Sequence, residues 1–177
     1  MLTIDPKRSL LLVVDFQSRL MPVIHDGDTA VHNANRLIKA AKLFDIPRLF
    51  TEQNANGLGA TVADVPVEPD RLVHKQFFDA CREAGFLGRI PLDGQIVVVG
   101  CESHVCVQQT VLGLLQASRQ TYVVRDALGS RRPDDKEAAI RRMERHGAEI
   151  VTTEMVVFEW LQTADHPQFR PAVALIK

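Results

Sequence analysis

The stretch that decides the fold is Ser9-Leu10-Leu11-Leu12-Val13-Val14-Asp15, an apolar run that ends in an acidic residue. A run without polar alternation is typical of a strand that helices cover on both faces, as in a parallel sheet. Gln95-Ile96-Val97-Val98-Val99-Gly100 has the same character. The two runs therefore predict two buried strands of an α/β fold.

Outward from these runs, strand-like and helix-like patterns alternate along the chain. In total, six strands are predicted, over residues 9–15, 46–51, 71–75, 96–100, 121–124 and 149–151. Apolar spacing predicts helices over residues 28–44, 104–117 and 152–161, a short helix and turn over 79–89, and a helix from Pro133 to a stop at Gly147. This alternation predicts a three-layer, doubly wound, mainly parallel six-stranded sheet flanked by helices.

Length, charge and cysteine content narrow the class of protein. The chain has 177 residues, which predicts a single domain over residues 1–177. Its formal net charge of -1 gives no electrostatic reason to expect a nucleic acid partner. Because no apolar run could span a bilayer and no signal peptide precedes the first strand, we expect a cytoplasmic protein with no membrane partner. Three cysteines, an odd number without repeated spacing, disfavour a disulfide framework and a zinc site.

Two further segments carry expectations about function and assembly. Residues 54–69 are predicted to form a long loop, and loops of that length in a small domain are often functional. Residues 167–177 mix proline with the apolar run Ala172-Val173-Ala174-Leu175-Ile176. Large exposed apolar patches are rare on monomers, so a partner subunit is expected to cover this tail. We therefore expect a homo-oligomer.

Reactive side chains follow three of the predicted strands: Asp15, Lys75 and Cys106. In doubly wound folds, ligands bind beyond the carboxyl ends of the strands, where the strand order reverses. Taken singly, each residue has an ordinary alternative: a turn cap, a solvated cation and a small buried hydrophobe. Taken together, they suggest Cys106 as a nucleophile, Asp15 as general base and then acid, and Lys75 as their electrostatic partner.

Cys106 also stands near the start of a predicted helix. A thiol there meets unpaired backbone N–H groups and the positive end of the helix dipole, which both favour the thiolate. The turn over residues 100–106 could supply an oxyanion hole from its N–H groups, and Gly100 would let the chain turn tightly. The alternative is an ordinary strand-to-helix connection.

The combination of these motifs resembles the isochorismatase-like superfamily of cysteine hydrolases, which includes nicotinamidases and N-carbamoyl amidohydrolases. The resemblance covers nearly the whole chain and keeps the order and spacing of the family. It implies the isochorismatase-like hydrolase fold and a small-molecule substrate. The matching segments are residues 11–17, Thr51-Glu52-Gln53, Lys75 with Phe77-Phe78, Val98-Val99-Gly100-Cys101-Glu102-Ser103-His104-Val105-Cys106-Val107, Val124-Arg125-Asp126-Ala127 and residues 153–159.

The resemblance also implies a mechanism. It assigns Asp15, Lys75 and Cys106 to a catalytic triad that works through a thioester or related covalent intermediate. It implies a cis peptide bond between Cys101 and Glu102, and an oxyanion hole formed by the backbone N–H groups of Glu102 and Cys106. True isochorismatases lack the cysteine and cleave a vinyl ether, so the presence of Cys106 makes that activity unexpected here.

The chain departs from the nicotinamidase pattern after its second strand. Nicotinamidases carry an Asp and two His residues there, which bind a metal ion that holds the pyridine of the substrate. Residues 52–61 of this chain contain no histidine. Because such a site needs imidazole or carboxylate ligands at fixed positions, we predict no metal, no other cofactor and poor nicotinamidase activity.

Several other residues near the predicted strand ends are candidates for binding a substrate. Glu52 and Gln53 could hydrogen-bond a substrate or close the loop, and His104 could act as a second base. The Phe side chains could line a pocket or pack in the core. Arg131 with Arg132 is interpreted as a solvated loop rather than an anion site, and Cys81 and Cys101 as structural. The substrate-binding candidates are Phe16, Gln17, Glu52, Gln53, Phe78 and His104.

The sequence alone is therefore compatible with three functions. The first is a metal-independent cysteine hydrolase that cleaves a small amide, carbamoyl or related C–N substrate. The second is a catalytically silent, oligomeric family member that acts as a binding or assembly protein. The third is thiol redox chemistry at Cys106, with Cys101 as the resolving thiol.

Overall fold

In the computed structural model, which describes residues 2–177, six strands form one sheet in the order β3-β2-β1-β4-β5-β6. Every pair of neighbouring strands is parallel. The doubly wound sheet predicted from the sequence is therefore confirmed. The strands are β1 (Ser9–Val14), β2 (Arg48–Gln53), β3 (Leu72–Lys75), β4 (Gln95–Cys101), β5 (Gln120–Gly129) and β6 (Glu149–Val151).

Helices cover both faces of this sheet, which gives the three predicted layers. Helices α1, α5 and α6 pack together on one face, and α3 and α4 pack on the other. Among residues 2–177, no helix has the length and apolar character that crossing a bilayer requires. The helices are α1 (Gly27–Leu43), α2 (Ala55–Leu58), α3 (Gln108–Gln116), α4 (Pro133–Arg145), α5 (Thr153–Leu161) and α6 (Phe169–Ile176).

Strand β1 shows why its sequence is apolar throughout. All six of its residues are buried. Leu11 and Val13 contribute to the core under α1, α5 and α6, whereas Leu10 and Leu12 contribute to the core under α3 and α4. Because successive side chains of a strand point to opposite faces, a strand between two helical layers has no solvent-facing position for a polar residue.

Helix α2 lies within the predicted loop 54–69, β2 is displaced by two residues from its predicted range, and a π-helical turn precedes α3. Three further segments also differ from the sequence predictions. The predicted short helix over residues 79–89 is two separate 3₁₀ turns, Ala80–Arg82 and Leu87–Arg89. Strand β5 continues to Gly129, five residues beyond its predicted end at Val124. The apolar tail forms α6, whose side chains pack against the core of their own chain. That packing removes the argument from the tail for a covering partner.

The strand order brings several carboxyl ends together. The order reverses between β1 and β4, where Val14 is aligned with Gly100. On its other side, Val14 is aligned with Thr51 of β2, and Gln53 of β2 is aligned with Lys75 of β3. Residues that follow or end these four strands therefore lie along one edge of the sheet, which is the usual ligand site of this architecture.

A substitution at Gly100 tests the close approach of β1 and β4. Its φ is +143°, and an added Cβ would clash with the carbonyl oxygen of Val14. Backbone strain and overpacking should make Gly100→Ala less stable by about 2–4 kcal/mol in urea denaturation. Gly88→Ala is the matched control, because nothing lies within 4 Å of the added Cβ. A Gly100→Ala protein as stable as the control would contradict the close approach of β1 and β4.

Candidate active site

A fully buried ion pair forms the centre of the site. Lys75 Nζ lies 2.7 Å from Asp15 Oδ2, and both side chains are 0% exposed. The other carboxylate oxygen accepts a hydrogen bond from Thr51 Oγ1 at 2.6 Å. Lys75 Nζ donates to Gln53 Oε1 at 2.8 Å. The two charges therefore pair with each other, and each also has one short hydrogen bond, from Thr51 or to Gln53.

The local backbone explains how the acid reaches the lysine. Asp15 directly follows β1 and has a φ of +51°, in the left-handed region that Asp tolerates better than most residues. Its N–H donates to the carbonyl oxygen of Thr51 at 3.2 Å, which ties the turn to β2. Lys75 is the last residue of β3. A sharp turn after one strand and the end of another thus place the two charges together.

Cys106 joins this pair from the other side of the switch point. It lies in a single π-helical turn, Ser103–Val107, between β4 and α3, and is 6% exposed. Burial, followed by the negative charge of Asp15, raises the pKa of the Cys106 thiol, while the Lys75 ammonium opposes the rise. The structure therefore brings Asp15, Lys75 and Cys106 together, as the sequence predicted.

The protonation state of Cys106 differs from the sequence argument. The helix start was expected to favour the thiolate, but burial and the carboxylate of Asp15 hold the pKa of the thiol well above its ordinary value. That expectation is wrong, because a sequence pattern does not report how completely a thiol is buried. A neutral thiol needs a base before it can act as a nucleophile, and Asp15 is the carboxylate beside it.

The turn between β4 and α3 carries the two backbone N–H groups predicted to form an oxyanion hole, those of Glu102 and Cys106. The peptide bond between Cys101 and Glu102 is cis. The N–H groups of Val105 and Val107 both donate to the carbonyl oxygen of Glu102, at 3.1 and 3.2 Å. Within residues 2–177, no backbone hydrogen bond joins the N–H of Glu102 or Cys106 to another segment. Neither N–H therefore ties this turn to a neighbouring segment.

The end of β5 braces this turn. Ser103 Oγ donates to the carbonyl oxygen of Gly129 at 2.8 Å. The backbone N–H and the Nε of Arg131 both donate to Glu102 Oε2, at 3.1 and 3.0 Å. The Glu102 side chain is only 8% exposed, whereas that of Arg131 is 58% exposed. The turn is therefore held by side chains as well as by its own backbone.

A small pocket opens beside the thiol. Its volume is about 250 Å³, just below the usual range for small-molecule sites. Gln53, Glu102 and Arg131 provide the polar groups next to Cys106. A pocket of this size suits a compact substrate with an apolar part and a few polar atoms. The apolar walls are Leu20, Val23, Leu58, Phe78 and Val105.

Two of the six substrate-binding candidates lie on this pocket, Gln53 and Phe78. Phe16 is not among its walls and is buried in the core under α1. His104 does not line the pocket either; its Nδ1 lies 3.1 Å from Ser130 Oγ, beyond the end of β5. The structure thus brings neither Phe16 nor His104 to the position where a substrate would lie.

Gln17 and Glu52 instead hold the loop that follows β2. Gln17 Nε2 donates to the carbonyl oxygen of Gly59 at 2.6 Å. Glu52 Oε1 accepts hydrogen bonds from the N–H and the hydroxyl of Thr61, at 2.7 and 2.8 Å. The same loop carries Leu58 to the pocket wall. Of the two alternatives for Glu52, the contacts therefore favour loop closure.

Sequence reasoning missed two polar residues of the site, Thr51 and Arg131. Thr51 ends the segment of β2 aligned with β1, so its position beside Asp15 could have been inferred from parallel pairing. Arg131 was interpreted as part of a solvated loop rather than as an anion site. The longer strand carries Arg131 to the edge of the pocket.

Over residues 2–177, no cluster of three or more His, Cys, Asp or Glu side chains is arranged to hold a metal ion. The three cysteines are free thiols, with Cys101 fully buried and Cys81 half-buried. Burial raises the pKa of both of these thiols, to about 12 at Cys81.

The comparisons with known proteins agree with this fold. A family model described as the Isochorismatase domain matches residues 9–155. The chain is 34% identical over 174 residues to isochorismatase domain-containing protein 2A of Mus musculus, covering 97% of this chain and 84% of that protein. The chain therefore belongs to the isochorismatase family, as its motifs indicated.

Solved structures extend the comparison. MAR1 ribonuclease from Caenorhabditis elegans superposes with a TM-score of 0.91 at 32% identity, covering 98% of this chain and 92% of that chain. The YCAC gene product of Escherichia coli, described as an octameric hydrolase of unknown specificity, gives a TM-score of 0.83 at 21% identity. That alignment covers 99% of this chain and 88% of the other. At this lower identity, the likeness establishes the fold alone.

The raised pKa of Cys106 predicts how the thiol reacts with iodoacetamide. Its alkylation should be slow at neutral pH and accelerate as pH rises, because only the thiolate reacts. Asp15→Asn removes the carboxylate that raises the pKa and should speed alkylation, whereas Lys75→Met removes the opposing ammonium and should slow it. Peptide mass mapping across a pH series measures each cysteine separately.

Cys81 is the internal control for this experiment, since the two substitutions should leave its profile unchanged. Breaking a buried ion pair costs about 3–5 kcal/mol, so circular dichroism must first show that both variants are folded. A wild-type Cys106 that is as unreactive as Cys101 at every pH, or two variants that shift the profile in the same direction, would contradict the arrangement described here.

Proposed function

We propose that this chain is a metal-independent cysteine hydrolase that cleaves a C–N bond in a small amide, carbamoyl or related substrate. The observation that carries the proposal is the position of the Cys106 thiol beside the buried Asp15–Lys75 pair, at the wall of a small pocket. Membership of the isochorismatase family supports a hydrolase-type fold. We further propose that residues 1–177 act as one hydrolase domain.

In the first half of the reaction, Asp15 takes the proton of the Cys106 thiol as the sulfur bonds to the substrate carbonyl carbon. The carbonyl oxygen becomes an oxyanion, which accepts hydrogen bonds from the N–H groups of Glu102 and Cys106. The tetrahedral intermediate then collapses and its C–N bond breaks. Protonated Asp15 returns the proton to the departing nitrogen, so the amine leaves neutral and a thioester remains.

In the second half, water attacks the thioester and Asp15 takes a proton from it. The same two N–H groups stabilise the second oxyanion. Collapse breaks the C–S bond, and the proton on Asp15 returns to the sulfur of Cys106. Lys75 remains charged throughout; it orients the carboxylate and offsets the negative charge that appears on sulfur, carboxylate or oxyanion in turn.

The walls of the pocket define the class of substrate further. Leu58 and Phe78 offer apolar contact to a short carbon chain or small ring. The Nη groups of Arg131 form no hydrogen bond to any residue within the described chain, although its Nε pairs with Glu102. A guanidinium with free donors at a pocket wall suits a carboxylate. We therefore infer a compact amide that carries a carboxylate.

Two alternatives remain to be separated from this proposal. A silent assembly protein would need no paired charges beside a thiol. The name of the Caenorhabditis elegans neighbour suggests RNA as a substrate. A formal net charge of -1 and a pocket of about 250 Å³ favour a small molecule over an RNA strand.

A substrate screen tests the proposed activity. The wild-type chain should hydrolyse at least one small amide or carbamoyl compound without added metal, and should turn over nicotinamide poorly. Cys106→Ala should lose at least ~10³-fold in kcat, because the covalent route depends on that sulfur. Ammonia or amine release measures the activity, and Cys81→Ala, which should retain it, is the matched control.

The same screen includes an RNA oligonucleotide. Cleavage of RNA that persists in Cys106→Ala would replace the proposed function with a nuclease that does not use the thiol. Absence of turnover across the amide and carbamoyl panel, with Cys106 unreactive towards iodoacetamide, would favour the assembly role instead.

Arg131→Met tests the inferred carboxylate. Loss of a charged hydrogen bond of about 1.5–3 kcal/mol should raise KM by about tenfold or more for amides that carry a carboxylate. The KM for neutral amides of the same size should change little. Arg132→Met is the control, because Arg132 does not line the catalytic pocket. Equal effects of Arg131→Met on charged and neutral amides would contradict a carboxylate site.

A further inference from the structure

The environment of the Lys75 ammonium contains a residue to which the mechanism above gives no role, Gln53. Nζ lies 2.7 Å from Asp15 Oδ2 and donates to Gln53 Oε1 at 2.8 Å. Its remaining oxygen neighbours are the carbonyl groups of Phe77 and Phe78, both at 3.4 Å. The Gln53 amide is therefore the only close neutral acceptor of the ammonium within residues 2–177.

The chemistry of its neighbours fixes the orientation of the Gln53 amide. Lys75 can only donate hydrogen bonds, so the amide oxygen must face it. On the other side, Nε2 donates to the carbonyl oxygen of Gln76 at 2.8 Å, and a carbonyl can only accept. A flipped amide would lose both bonds, so one orientation is imposed.

The backbone of Gln53 is held as well. Its N–H donates to Gln17 Oε1 at 2.8 Å, and its carbonyl oxygen accepts from Gln17 Nε2 at 3.0 Å. Gln53 is 6% exposed and is aligned with Lys75 in the pairing of β2 with β3. Its side chain also lines the pocket beside Cys106. The amide oxygen therefore has a defined place between the pocket and the ammonium.

We propose that Gln53 is a positioning residue that acts through Lys75: its amide oxygen engages one of the three ammonium protons and so limits how strongly Lys75 stabilises a thiolate at Cys106. The inference rests on the proposed function, because it matters for hydrolysis only if Cys106 is the nucleophile. It assigns Gln53 a role in setting the balance between Asp15 and Lys75, rather than one in binding the substrate directly.

An ammonium has three protons, and the arrangement shares them among fixed acceptors. Asp15 and Gln53 hold the two short contacts, while the two carbonyl contacts are long. A thiolate formed at Cys106 must therefore compete for the ammonium with the Gln53 oxygen. A negative charge at residue 53 should strengthen its hold on the ammonium and disfavour the thiolate. Loss of the acceptor oxygen should have the opposite effect.

Two near-isosteric substitutions test whether the alkylation rate of Cys106 changes in these opposite directions. Gln53→Glu adds a negative charge beside Lys75 and should slow iodoacetamide alkylation of Cys106 at pH 8 by about tenfold, a rise of about one pKa unit. Gln53→Met removes the strong acceptor, frees an ammonium proton for the thiolate and should accelerate alkylation by about threefold or more. If Gln53 had a purely structural role, the two variants would not change the alkylation rate of Cys106 in opposite directions.

Gln95→Glu is the matched control. Gln95 is also a fully buried glutamine, but it lies at the start of β4 and its Nε2 donates to the Tyr122 hydroxyl at 3.0 Å. Its substitution adds a buried charge at the opposite end of the sheet and should leave the Cys106 profile unchanged. A shift in this control as large as that of Gln53→Glu would overturn the proposal.

Folded Gln53 variants that both slow alkylation, or that both leave it unchanged, would also overturn the assignment. If Gln53→Glu does not fold, Gln53→Met decides alone: acceleration supports the role, and slowing or no change removes it. Failure of the hydrolase proposal would appear differently, as a wild-type chain that turns over no amide, and would leave the alkylation comparison intact.

Discussion

The fully buried ion pair of Asp15 and Lys75 is the constraint on which the rest of the site depends. Removing two charges from water is costly, and a buried salt bridge often contributes little to stability. Here each charge has a further partner, Thr51 for the carboxylate and Gln53 for the ammonium. A costly, well-satisfied pair next to a thiol is better explained by chemistry than by stability.

The pair also explains why a neutral thiol suits this site. The carboxylate raises the pKa of Cys106 and the ammonium lowers it, so the sulfur experiences both charges. If Asp15 takes the proton while the C–S bond forms, negative charge moves from the carboxylate to the substrate oxygen. The total charge of the buried site then stays constant along the proposed path. A site that cannot solvate a free thiolate avoids forming one before the substrate is present.

The sequence predicted the parts of the fold that follow from chain direction and periodicity. The runs ending at Val14 and Gly100 specified buried strands, and parallel order then placed Asp15, Lys75 and Cys106 at one edge. It could not predict Arg131, because the end of β5 depends on pairing with β4 rather than on local propensity. The raised pKa of Cys106 was also out of reach, since burial is a property of the packed structure.

Glu102 connects the proposed oxyanion hole to the proposed carboxylate site. Its backbone N–H is one of the two proposed oxyanion donors, while its buried carboxylate accepts two hydrogen bonds from Arg131. A substrate carboxylate on Arg131 would share the guanidinium with Glu102 without displacing the backbone N–H of Arg131 from Glu102 Oε2. The hydrogen bond from the backbone N–H of Arg131 to Glu102 Oε2 would hold the turn while the Nη groups bind the substrate. The proposed oxyanion hole and the proposed carboxylate site therefore depend on the same short contact between the end of β5 and the turn after β4.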